Sequence, residues 1–254
     1  MPQYSDDLFL GSALTYMGDN TNSALGDPSP MSVGVGPLGR IYVWDLVPLT
    51  LQTNNISTAA TYTGGGNATL AAGTGTTAVT RADGVSVIQL DCPRAVSITI
   101  GTGTITDRAV TVTGYDFYGQ KMSEVIQTGT TQSTTVNGKK AFYQVSSVNV
   151  ANTVGGTVAV GTADIFGCPV RVTNLGYVGT LGWNNALARA AGTFTVADTA
   201  TATTTTGDVR GTYAPANAAD GSKRLVSGLL LPALAAGPNA TRIGALGVNQ
   251  NLAS

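Results

Sequence analysis

The sequence contains no histidine. That removes Ser-His-Asp and Cys-His catalytic machinery, His-based zinc sites and the commonest general base near neutral pH. Cysteine occurs twice, as Cys92 and Cys168, too few for a four-cysteine zinc site. Both sit beside strand-like apolar residues and are read as buried free thiols. Charge is scarce as well: Asp, Glu, Lys and Arg make up 11% of the chain, against roughly 25% in an average soluble domain. Glu124 is the sole glutamate. The net charge of −1 gives no basic excess for neutralising phosphates, so no nucleic-acid partner is expected. The basic pairs Lys139-Lys140 and Lys223-Arg224 are too short for a phosphate-binding stripe and read as solvated loop residues.

Long apolar runs are missing too. The most apolar stretch, Leu225 to Ala236, is broken by Ser227, Gly228 and Pro232. It falls well short of the roughly 20 residues a bilayer span needs, so no membrane association is expected. The first residues, Met-Pro-Gln-Tyr-Ser-Asp-Asp, have neither the positive nor the apolar region of a secretory signal. Gly101-Thr102-Gly103-Thr104-Ile105-Thr106 lacks the third glycine and the following helix of a phosphate cradle. Asp and Glu together number 14, and nothing singles out two of them as a hydrolytic pair. Asp19, Asp27, Asp83, Asp107 and Asp220 lie in turn contexts, where the side chain caps its own backbone. The expectation is a protein that is not an enzyme and has no cofactor.

What is present favours strands. Thr, Ala, Gly and Val dominate, with 33 glycines, and hydrophobic residues reach 43%, enough for a real core. Thr and Val are β-branched and suit a pleated surface. Ile41 to Val47 reads as a strand ended by Pro48, with Trp44 in the core. Residues 52–80 are Thr-, Ala- and Gly-rich, either a working loop or weak strands. Val85–Leu90 and Val96–Ile100 read as two short strands. Ala109–Thr113 and Lys121–Ile126 read as a hairpin across the turn Gly114–Gly119. Asn137-Gly138 is a turn dipeptide, followed by a long strand, 141–150, with Phe142, Val148 and Val150 inward. Gly155-Gly156 turns into Thr157–Val160. Residues 184–191 form the one plausible short helix. Strand signals recur about every 8 to 14 residues without amphipathic helices between them, which predicts an all-β body, a β-sandwich or jelly roll. The domain reading is an N-terminal arm over 1–38, the body over 39–231 and a C-terminal arm over 232–254. The arms lack a sustained period of 2 or 3.6.

Within the body, Arg108 to Glu124, with its Gly-x-Asp-x-x-Gly turn (Gly114–Gly119) before a Ser-Glu strand, resembles a segment of small virion proteins of tailed bacteriophages. Gly138-Lys139-Lys140-Ala141-Phe142, Val160 to Pro169 and Gly207 to Pro215 fit the same resemblance, which covers roughly residues 108–215. The glycines hold turns, and Phe142 and Ile165 fill the core. Among such proteins the chain looks most like a capsid decoration (cement) protein. That resemblance implies a non-enzymatic, oligomeric part on the capsid exterior of a virion, bridging and bracing the shell. Its implied partners are the major capsid protein and copies of itself, as a homotrimer or a dimer. A tail, neck or fibre-base protein would share the composition. A carbohydrate-binding sandwich would need an exposed aromatic platform, for which Trp183 is the one loop tryptophan. Tyr4, Phe9, Leu10, Tyr16 and Trp183 are the expected subunit or capsid contacts, because buried aromatics dominate interface energetics.

Overall fold

Alternation of β-branched and small polar residues is realised as strands almost throughout. The computed structural model describes residues 8–10, 39–187, 192–198, 202–231 and 250. The strands run β1 (Leu8–Leu10), β2 (Gly39–Leu46), β3 (Ser57–Thr61), β4 (Gly66–Asn67) and β5 (Thr76–Thr80). Next come β6 (Ser86–Ile100), β7 (Ala109–Tyr115), β8 (Lys121–Gln127), β9 (Thr134–Val150) and β10 (Thr157–Gly167). The last are β11 (Val178–Trp183), β12 (Ala186–Leu187), β13 (Gly192–Val196), β14 (Gly211–Pro215) and β15 (Leu225–Leu231). A five-stranded sheet has the order β1-β2-β15-β11-β12. A ten-stranded sheet has the order β13-β14-β10-β6-β9-β7-β8, with β3, β4 and β5 pairing β10, β9 and β6. The protein is all-β and sandwich-like, with curled antiparallel sheets.

The hairpin of β7 and β8 forms as the residues dictate. Val110 and Val112 are buried between Ala109, Thr111 and Thr113, and β8 buries Met122 and Ile126 in the same rhythm. Asp116 closes the turn: its Oδ1 accepts the amides of Tyr118 at 2.9 Å and Gln120 at 2.8 Å. Gly119 adopts a left-handed φ of 78°, which its missing Cβ permits.

Two cores result. One lies inside the curl of the larger sheet and joins Ile98, Ile100, Val110, Val112, Met122, Phe142, Val148, Val150 and Val158. The other lies against the smaller sheet, with Trp44, Leu181, Trp183, Leu225 and Leu229 packed on Cys92, Phe166, Cys168 and Tyr213. Phe142, Val148, Val150 and Trp44 are therefore core residues, as the pattern predicted, and both cysteines are buried and free.

Several local expectations are overturned. Val85–Leu90 and Val96–Ile100 are not separate strands but parts of β6, whose register with β9 shifts between Gln89 and Arg94. Pro93 sits in that irregular stretch, where its missing N–H costs no ladder bond. Asn137-Gly138 is not a turn; β9 runs straight through it, with a second shift opposite Ala95–Ser97. Residues 184–187 are not helical. Asn184 and Asn185 both take positive φ, 53° and 62°, and form the two-residue turn of the β11–β12 hairpin. Residues 188–191 lie outside the described residues. Ile165 is only half-buried, and its neighbour Phe166 fills the core instead. Residues 52–80 supply three short strands, β3, β4 and β5. Of the two expected arms, only β1 and Gln250 lie within the described residues.

Candidate functional site

Six charged side chains, Arg94, Asp116, Glu124, Lys140, Asp208 and Arg210, are buried, although such residues are almost never fully buried unless paired. In β8 the inward position between Met122 and Ile126 is held by Glu124, 3% exposed. Its Oε1 accepts the Lys139 amide at 2.6 Å and its Oε2 the Lys140 amide at 3.2 Å. The carboxylate thereby satisfies the backbone donors that the register shift of β9 takes out of the ladder. Gly138 makes the approach possible, since a Cβ there would stand 2.6 Å from Glu124 Oε2. Burial pushes the Glu124 carboxyl up to about 7, against the pull of the two amides.

The same cluster extends across β9. Lys140 is fully buried and its ammonium donates to the Thr203 carbonyl at 2.5 Å. Thr204 O accepts from the Val125 amide at 2.7 Å, so residues 203–204 cover part of the outer edge of β8. Asp208 accepts the Ala141 amide at 3.0 Å and the Arg210 amide at 2.8 Å. Arg210 pairs with Asp116 and lies 4.7 Å from the Tyr118 ring centre. Burial raises the Asp208 carboxyl and lowers the Lys140 ammonium. Each carboxylate in this cluster holds backbone amides or a guanidinium, an arrangement that locks strands together.

A second node centres on Arg94, 1% exposed in β6. Its guanidinium donates to the Ala163 carbonyl at 3.0 Å, the Leu49 carbonyl at 3.0 Å, Asp91 at 3.1 Å and Asp164 at 2.5 Å. Asp91 in turn accepts the Leu49 amide at 2.7 Å, and Asp164 accepts the Ala219 amide at 2.8 Å. The Gly221 amide donates to the Pro48 carbonyl at 3.2 Å. The backbone of Val47-Pro48-Leu49 is thus fixed from three sides, while Val47 and Leu49 remain 48% and 42% exposed. A rigid backbone presents apolar side chains to the outside. This ridge is the candidate contact surface.

Val47 and Leu49 are not among the residues expected to make contacts. Tyr4 and Tyr16 lie outside the described residues. Phe9 and Leu10 lie on β1, paired in register with Arg40 and Gly39 of β2. Trp183, expected in a loop, closes β11 and is 3% exposed, 6.0 Å from the Phe166 ring. It offers no platform to a sugar or a subunit. Sequence reasoning missed Val47 and Leu49, and Pro48 between them was the available signal: a strand that ends on proline with large apolar residues on either side. It also placed Lys140 in a solvated loop, whereas Lys140 is core and only Lys139 is exposed.

Among the described residues no group of three or more His, Cys, Asp or Glu side chains is placed to hold a metal ion, and no helix is long and apolar enough to cross a membrane. The chain matches no protein-family model, and no curated protein or solved structure matches it.

Proposed function

We propose that this chain is a structural component of a tailed-phage virion, seated on the capsid exterior, where it decorates and stabilises the shell by bridging neighbouring capsid subunits. The observation that supports the reading best is the Val47–Leu49 ridge on a body that buries six of its charged side chains. Arg94, Asp116, Glu124, Lys140, Asp208 and Arg210 are buried, and Arg81–Asp83, Lys223–Asp220 and Arg224–Asp45 are paired with one another. With charged residues only 11% of the chain and several of the exposed ones paired, the surface does little to repel neighbouring copies. Val47 and Leu49 are already about half covered, so burying the rest of each against a partner contributes about 1 kcal/mol. The partners are the major capsid protein and further copies of this chain, as a trimer or a dimer. The role is non-catalytic and uses no cofactor.

The test is co-sedimentation of the purified chain with empty shells of the parent phage. Binding in a fixed ratio to the major capsid protein is expected, and V47D/L49D should abolish it while leaving the thermal transition in place. A chain that ignores shells but binds purified tails or necks would move the assignment to those parts. A chain that binds neither would remove the virion reading altogether.

A further inference from the structure

The cluster around Lys140 holds an amine and two carboxyls shielded from water. Lys140 in β9 is fully buried, and Glu124 and Asp208 are 3% and 6% exposed. The two carboxyls hang on consecutive backbone amides of the strand that carries the amine. Glu124 Oε2 accepts the Lys140 amide at 3.2 Å, and Asp208 Oδ2 accepts the Ala141 amide at 3.0 Å. Covalent geometry then puts each of those oxygens within about 5.5 Å of Lys140 Cα. The four-carbon stem of a lysine spans that distance, so side-chain rotation puts the amine within reach of either carboxyl. In the structure the ammonium donates to the Thr203 carbonyl and makes no ion pair among the described residues. Thr203 precedes Asp208 in the same segment, which lies over both strands.

Burial disfavours the charged form of every group here. It lowers the Lys140 ammonium and raises the Asp208 carboxyl, and it pushes Glu124 up to about 7. A neutral amine is a nucleophile, and a neutral carboxylic acid is open to its attack. The Asp208 carboxyl is also held as an acyl group would be for that attack. Its Oδ2 accepts the Ala141 amide and its Oδ1 the Arg210 amide at 2.8 Å, and fixed backbone donors of this kind stabilise negative charge developing on oxygen. Glu124, whose carboxyl titrates near neutrality, is matched to passing a proton.

We propose that Lys140 and Asp208 condense to an amide, an internal cross-link between β9 and the segment leading into β14, with Glu124 as the proton carrier. The Lys140 nitrogen attacks Asp208 Cγ and a C–N bond forms. Glu124 takes the proton released from nitrogen and delivers it to one Asp208 oxygen, whose bond to Cγ breaks. One water leaves, nothing is oxidised or reduced, and two buried ionisable groups become one neutral amide. Holding both partners on adjacent backbone positions supplies the effective concentration that the condensation needs. The cross-link goes beyond the structural reading above and stands whatever particle the chain enters.

The test is the intact mass of the full chain, denatured and reduced, followed by a tryptic map. The chain should be one water lighter than its sequence. Fragments 140–171 and 190–210 should appear joined as one branched peptide, with no cleavage after Lys140. In E124Q the branched peptide should form about 100-fold more slowly, and K140R and D208A should keep the full mass of their sequences. The wild-type map decides the matter even where a variant fails to fold. A wild-type chain at full sequence mass overturns the proposal. So does a lost water found within one linear peptide, as a succinimide at Asp83-Gly84 or Asp220-Gly221 would give. A branch from Lys140 to Glu124 overturns the assignment of Asp208, and a branch to Asp208 that forms as fast in E124Q overturns the part given to Glu124.

Discussion

Replacing Glu124 by glutamine tests whether one buried carboxylate sets how this protein responds to pH. Burial raises the Glu124 carboxyl from its ordinary 4.5 to about 7, opposed by the Lys139 and Lys140 amides. The folded chain therefore keeps a proton that the unfolded chain releases. Where the folded state binds more protons, stability falls as pH rises. The contribution is fully present below pH 4.5, declines between 4.5 and 7, and is gone above. At 1.36 kcal/mol per pH unit, that gap is worth about 3 kcal/mol, or about 5–10 °C in the melting temperature of a body this size. Gln has the shape of the protonated acid and does not titrate, but its NH2 cannot accept the second of the two backbone amides, a loss of about 1–3 kcal/mol that does not vary with pH. Relative to the wild type, E124Q should gain about 3 kcal/mol on going from pH 4.5 to pH 8. Asp164 is also raised by burial and Asp83 is lowered by the Val85 amide, but these are common to both chains and cancel in the difference, whereas Asp208 and Lys140 interact with the Glu124 charge and respond to its removal. The assay is urea unfolding at a series of pH values. A constant difference between the two proteins across pH 4.5–8 would refute the argument.

Two further outcomes follow from the buried groups. R94M should lose about 3–5 kcal/mol in urea unfolding, because Asp91 and Asp164 keep their charge without the guanidinium between them; a loss under about 1 kcal/mol would mean that solvent screens that node. Burial pushes both cysteine thiols well up, so neither should react with a thiol reagent in the native protein at pH 8, and both should react in guanidinium. Rapid native labelling of either would contradict its place in the core.

The parts of this fold legible in the sequence are those where alternation and turn chemistry agree. The β7–β8 hairpin is the clearest, with Val110, Val112 and Met122 alternating against Thr and Ser on either side of an Asp-Gly turn. Phe142, Val148 and Val150 were legible for the same reason. Asn137-Gly138 was misleading, because residues that usually end a strand also serve where a long strand changes register. The buried charges were illegible. Lys140 and Arg94 look like surface residues until the partner of each is known, and those partners, Thr203 and Asp164, lie 63 and 70 positions away. Trp183 was misjudged because two consecutive asparagines in left-handed conformation fold a hairpin tight enough to bring its indole under the sheet.

The pairing of β2 with β15 also sets how the body bears load. Gly39 begins one strand, Leu231 ends the other, and Arg40 lies opposite Leu231 at the same end of the pair. Tension applied between the segments that lead into Gly39 and out of Leu231 acts across the strands, on one bonded pair at a time. It peels the sheet open from Arg40–Leu231 towards Leu46–Leu225, as a zip opens. If the force instead acts between Gly39 and the segment entering β15 at Leu225, at opposite ends of the pair, it runs along the strands and loads all of the bonds between them together. The same sheet is then weak in the first direction and strong in the second.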